Sequence, residues 1–319
     1  MLTKRSDTKQ ADRDPAGPTT TGLSRLARRH PLASFFVLAY ALSWALWIPM
    51  SVMRDATPAI YGSLAILIGS SVPSAVAILV TAASLGKGGV RRLLRRLLIW
   101  RVGLRWYLLL LLPTALVVIS ITVVAVLVGG PTATLAVPVV SAVIFVAFMT
   151  FPGSAVGEEI GWRGYALPRL QVRHSAVTAS LILGALHTLW HLPLWFRGLA
   201  DHPLSVFPAF AIQGFAFAII YTWLYNSTKG SLLLAVLFHT ATNAPLTLVL
   251  LPMGVEDFTG PFWLMAALSA VAAIIVVAVF GPSQLSRQQR QQEPQQRSSI
   301  TPVPGADLAE SRRRNNVDA

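Results

Sequence analysis

The sequence predicts an all-α, polytopic membrane protein with about eight transmembrane helices. Apolar residues make up 54% of the 319-residue chain and mean hydropathy is +0.60. Charged residues make up only 12%, about half the roughly 25% usual in soluble proteins. Several apolar runs also reach the roughly 20 residues needed to cross a bilayer core.

The elements follow in order. Residues 1–30 are rich in Thr, Asp, Arg and Gly and read as a disordered cytoplasmic N-tail. Arginines 25, 28 and 29 before the apolar run 32–53 suggest a signal sequence. That run is too long for one and lacks a clean cleavage site, so an uncleaved anchor is expected. Apolar runs place spans near 33–53, 58–83, 106–128, 137–160, 176–196, 206–226, 231–251 and 262–281, within a membrane domain of 31–281. Between the second and third, segment 87–100 sets Arg91, Arg92, Arg95 and Arg96 against Leu93, Leu94, Leu97 and Leu98. This is the spacing of a basic amphipathic helix on the membrane surface. Residues 282–319, rich in Gln, Arg and Ser, read as a disordered cytoplasmic C-tail.

The net charge of +13 orients the chain. With a cytoplasmic N-terminus, all 26 Lys and Arg residues except Arg54 and Arg197 fall on the cytoplasmic side. That asymmetry follows the positive-inside rule, places both termini inside the cell membrane and suits anionic lipid without nucleic acid. The absence of cysteine excludes disulfides, thiolate nucleophiles and Cys-bound zinc.

Three polar groups interrupt the apolar second half. Glu158-Glu159-Ile160-Gly161-Trp162-Arg163 follows directly on the fourth apolar run. An acidic residue at a helix centre costs roughly 2.5–3.5 kcal/mol on insertion scales, which makes the pair a functional candidate. Glu159 and Arg163, four apart, share a helix face and suit an ion pair. Glu158 points about 100° away, toward a cavity. In general, burial and a like charge favour the protonated carboxyl, a property that suits a base working near neutrality.

His187 and His191 lie one turn apart in the fifth span, and His239 and Asn243 repeat that spacing in the seventh. Imidazoles and a carboxylate bind zinc, and they equally polarise a carbonyl by hydrogen bonding. Each group also has a purely structural reading. The glutamates would lie in headgroups bridged to Arg163 and Arg169, His187 and His191 would pack, and His239 with Asn243 would join helices by hydrogen bonds. His30, His174, His202, Asp201, Glu256 and Asp257 read as ordinary loop groups.

Together the three motifs resemble those of the CAAX-processing and bacteriocin-processing (CPBP, or Abi) family of intramembrane proteases. The family patterns E-E-x-x-x-R, F-x-x-x-H and H-x-x-x-N correspond to Glu158 to Arg163, His187 to His191 and His239 to Asn243, within a protease-like core of 137–250. The family's Phe is His187 here. The resemblance implies eight helices around a cavity open to the cytoplasm and lipid, with catalytic Glu158, Glu159, Arg163, His191, His239 and Asn243. Glu158 would activate a water against a peptide bond of a membrane-anchored or lipid-modified substrate, and Glu159 with Arg163 would brace the helix.

His191 and His239, with His187 as a further ligand, would hold a divalent metal such as zinc, or would stabilise the oxyanion without one. No H-E-x-x-H motif decides between them. The depths of Glu158 and His191 match only if the fourth span continues past 160 toward Tyr165 or the fifth starts later than 176, and the largely apolar Gly164–Leu167 favours the first. A non-enzymatic immunity or regulatory protein that binds a bacteriocin or partner helix is the alternative. A transporter would need polar residues in spans one, two, three and eight, which hold essentially none with such chemistry.

Overall fold

The computed structural model describes residues 22–53, 56, 58–128, 153–195, 204–245 and 259–287. Outside the described residues lie most of both tails, the fourth span before 153 and the seventh beyond 245. Arg54, Arg197, Asp201, His202, Glu256 and Asp257 also lie outside them.

The described elements are α1 (Gly22–Arg29), α2 (Pro31–Val52), α3 (Ala59–Leu94), α4 (Leu104–Leu108), α5 (Leu111–Val128) and α6 (Ser154–Glu159). They continue with α7 (Ala176–Trp190), α8 (Leu192–Trp195), α9 (Phe207–Ser227), α10 (Leu232–Pro245) and α11 (Thr259–Phe280). No strand occurs among the described residues. Four helical segments, Pro31–Val52, Ile60–Leu98, Leu204–Ser227 and Thr259–Phe280, are long and apolar enough to cross a membrane. Shorter apolar helices cover Leu104–Pro113, Ala176–Trp190 and Leu232–Asn243. Large apolar side chains such as Val37, Ile68, Leu79, Leu127 and Ile274 are exposed, as expected of faces turned to lipid rather than water.

One end of the bundle is pinned by polar contacts. Tyr165 Oη donates to Pro31 O at 3.2 Å, and Ser231 Oγ to Ile99 O at 2.6 Å. Ala176 N donates to Ser283 O at 2.8 Å, and Asn226 Nδ2 to Gln284 O at 2.7 Å. These contacts gather the start of α2, the segment after α3, the start of α7 and the ends of α9 and α11. Arg96 joins the same end by donating to Tyr225 Oη and Gly164 O.

The segment 87–98 is helical, following a break at Gly86, whose φ of 64° lies in the left-handed region that glycine tolerates. Three of its four leucines turn inward: Leu93 is buried, and Leu94 and Leu97 pack on the main core, while Leu98 is exposed. Arg91, Arg92 and Arg95 stay exposed.

The helix that carries the two glutamates does not stop at 160. Ser154–Glu159 runs directly into wider π-turns at Ile160–Ala166 and returns to α-helix at Leu167–Gln171. Glu158 therefore lies mid-helix, 13 residues before its end, or roughly 20 Å at 1.5 Å per residue. That depth matches His191, which follows Ala176 by 15 residues. A span boundary at 160 is thus a full helix too early.

Close approach to α3 sets how this helix is rotated. A Cβ at Gly157 would lie 2.7 Å from Ser71 Cα, and one at Gly161 would lie 2.7 Å from the Pro73 backbone. The two glycines form a small-x-x-x-small seam, which lets two backbones touch inside a membrane. Ser74 Oγ crosses the seam to Val156 O at 2.7 Å. Pro73 has no N–H for the carbonyl four residues back, and Ser43 Oγ of α2 donates to that carbonyl, Gly69 O, at 2.8 Å.

The seam is testable by substitution. Gly161→Val should cost at least the roughly 1–3 kcal/mol typical of overpacking, seen as a lowered melting temperature of detergent-purified protein. Gly62→Ala, with nothing within 4 Å of the added carbon, should leave it unchanged or slightly raised; equal behaviour of the two variants would refute the seam.

Candidate active site

With Gly157 and Gly161 against α3, the glutamates between them face the other helices. Glu158 is 2% exposed, Glu159 0% and Arg163 2%. Buried charges of this kind persist only when paired and hydrogen-bonded.

Glu159 has two cationic or potentially cationic partners. Arg163 Nη1 donates to Glu159 Oε1 at 2.7 Å, spanning one turn of the same helix. His239 Nδ1 of α10 lies 2.8 Å from the same oxygen and donates to it when the carboxyl is ionised. The Arg163 guanidinium also lies 4.0 Å over the Tyr221 ring of α9. Glu159 thus ties three helices, and its Oε2 has no hydrogen-bond partner among the described residues.

Glu158 faces α7 instead. His187 Nε2 lies 2.8 Å from Glu158 Oε2. His191 Nδ1 donates to His187 O at 2.9 Å, a carbonyl left over by the ending helix. That bond leaves Nε2 of neutral His191 with its lone pair outward. One ligand atom from each of Glu158, His187 and His191 falls within 4.8 Å of the others.

One carboxylate and two imidazoles on one small locus suit a divalent metal of the zinc class. His239 is not part of this cluster: the sequence reading set it with His191 as a ligand, whereas the structure commits its Nδ1 to Glu159. His187, a departure from the family pattern, stands in its place.

Asn243 Nδ2 donates to Ser154 Oγ at 3.1 Å, joining α10 to the first residue of α6. Aromatic rings close the site from the sides. Trp162 lies 5.1 Å from His187, Trp190 4.7 Å from His191 and Phe210 5.4 Å from His191, between ring centres. The indole N–H groups of Trp162 and Trp190 are buried without a hydrogen-bond partner among the described residues. From α2, Tyr40 Oη donates to Leu186 O and Trp44 Nε1 to Trp190 O at 2.9 Å. These bonds cap the end of α7 and fix the turn that carries both histidines.

Sequence reasoning passed over Tyr40, Trp44, Ser154, Trp162, Trp190 and Tyr221, which are single residues without a local pattern. The Gly157-x-x-x-Gly161 spacing was a readable signal for the seam, and it encloses the glutamate pair.

A family model described as type II CAAX prenyl endopeptidase, Rce1-like, matches residues 138–245. A curated relative, CAAX prenyl protease 2 of Methanococcus maripaludis, is 34% identical over 122 residues, which cover 36% of this chain and 45% of that protein. The chain therefore matches less than half the length of that relative. All of Glu158, Glu159, Arg163, His187, His191, His239 and Asn243 fall inside the matched segment. That segment, which holds the whole of the site, is similar to the CAAX prenyl endopeptidases of the CPBP family of intramembrane proteases.

Proposed function

We propose that the protein is an intramembrane endopeptidase of the CAAX-protease type. Glu158 activates a water against a peptide bond in a membrane-anchored or lipid-modified substrate at the cell membrane. The observation that carries this reading is the buried Glu158 carboxylate, held by His187 and gathered with the outward-facing nitrogen of His191 among aromatic walls.

The chemistry follows from the donors and acceptors. With His187 on Oε2, the other oxygen of Glu158 takes the proton of a water whose oxygen attacks the scissile carbonyl carbon. His191 Nε2, an acceptor in the tautomer set by His187 O, orients that water rather than donating to an oxyanion. Asn243 has a second amide N–H beyond the one on Ser154, and it stabilises the negative oxygen of the tetrahedral intermediate. As the C–N bond breaks, Glu158 passes its proton to the leaving amine.

Glu159, Arg163 and His239 hold the geometry and take no part in bond making. Glu158, His187 and His191 are the residues that would hold a divalent metal, which would polarise the carbonyl or acidify the water.

Glu158→Gln should lower cleavage by roughly 10²–10⁴-fold, the usual weight of a general base, with the melting temperature unchanged. The readout is accumulation of uncut peptides in membranes of Glu158→Gln cells compared with wild type. Wild-type levels in the variant would rule out the mechanism.

Glu159→Ala should behave differently, because Arg163 would remain buried without its carboxylate at a cost of about 3–5 kcal/mol. Reduced folded yield and melting temperature are expected, with Glu159→Gln milder. A stable but inactive Glu159→Ala would move that residue into the chemistry.

For the metal, elemental analysis of purified protein should find about one divalent ion per chain. A His191→Ala variant should bind it roughly 10–100-fold more weakly. Equal content in both would leave the histidines a hydrogen-bonding role alone.

A further inference from the structure

A second site lies at the basic end of the bundle, apart from the glutamates. A cavity of about 240 Å³ is lined by Arg105, Trp106, Leu109, Trp223, Phe280 and Arg287, with Ser227 and Ser286 completing its polar side. Its floor is aromatic: Trp106 and Trp223 meet edge-on at 5.0 Å, and Trp223 lies 5.1 Å from Phe280. Its rim is cationic. Arg105 lies 5.1 Å over Trp106 and Arg287 5.3 Å over Phe280, so two guanidiniums from different elements flank one opening.

Neither arginine has an acid to pair with nearby. The described residues contain only two carboxylates, Glu158 and Glu159, and both are committed to the buried site. Trp223 lines the cavity as part of its aromatic floor. Two cations above an apolar aromatic floor match an anion that continues into hydrocarbon.

We propose that this cavity binds the headgroup phosphate of an anionic phospholipid. The phosphate bridges Arg105 and Arg287, with the Trp106, Trp223 and Phe280 rings beneath it. The cavity is smaller than the roughly 300–1,000 Å³ of sites that enclose a whole ligand. Only the headgroup therefore enters, and the acyl chains run outside along the exposed Leu108 and Val279. Its place fits this occupant. The cavity sits between the start of α4 and the ends of α9 and α11, at the end that carries Arg91, Arg92, Arg95, Arg101 and Lys229. The positive-inside rule sets that end in the cytoplasmic leaflet, where anionic lipids concentrate.

The test is native mass spectrometry and thermal unfolding of the full chain in detergent, with phosphatidylglycerol, phosphatidylcholine or inorganic phosphate added. Retention of phosphatidylglycerol over phosphatidylcholine, with a rise in melting temperature, is the expected result. Arg105→Gln/Arg287→Gln should weaken phosphatidylglycerol binding at least tenfold, while Arg91→Gln/Arg92→Gln, equally basic but away from the cavity, should not.

Trp223→Phe removes the indole N–H together with part of the aromatic floor, so it should weaken binding by about three- to tenfold; it serves if the double variant folds poorly. Undiminished binding in both cavity variants would overturn the proposal, as would an equal loss in Arg91→Gln/Arg92→Gln. A melting shift reproduced by inorganic phosphate at the same concentration would also overturn it, identifying a free-phosphate site instead.

Discussion

Two adjacent carboxylates withdrawn from solvent, in a helix surrounded by apolar neighbours, dictate how the helices are arranged around them. Each needs its own compensation, and the two receive different kinds. Glu159 is held by a guanidinium and an imidazole on one oxygen, which joins α10 to the helix that bears it. Glu158 is held by a single imidazole of α7. The first arrangement neutralises a permanent charge and locks three helices. The second leaves the carboxylate with a single imidazole partner, the condition under which the proposed proton transfer would operate. The difference between two identical side chains thus follows from which partners each reaches.

That division depends on rotation of the helix to within a few tens of degrees, and glycine sets it. Gly157 and Gly161 bring the backbone against Ser70 to Pro73, where any side chain would collide. The glutamates, enclosed by those glycines, have no choice but to face α7 and α10. The π-turns that begin at Ile160 follow directly on the pair, and Arg163 within them reaches back to Glu159. Such widened turns recur where a helix must re-aim side chains at a functional site. Bonds from α2 to the last carbonyls of α7 complete the support.

The same scarcity of acid explains the other end of the molecule. With both described carboxylates buried in the site, the basic residues at the other end have no protein counter-charge among the described residues. Arg105 and Arg287 flank a cavity with an aromatic floor, and the proposed lipid site would turn a diffuse attraction into one of defined shape.

Composition and pattern by themselves determined the class of the protein and the residues worth attention. Hydropathy exposes membrane helices because a bilayer admits few other structures, and an intramembrane carboxylate or histidine stands out because it is expensive. Spacing alone also related Glu159 to Arg163, since both lie on one helix. It did not settle contacts between helices. Whether His187 or His239 would join Glu158 depends on the rotation and depth of three separate spans, and only packing against α3 decides that. His187, read from the sequence as a further ligand, lies against Glu158, and His239, set there with His191, has its ring turned to Glu159. The fold was legible because burial is written into local composition. The site was legible only as a set of residues, because its geometry is made of distances that no single helix contains.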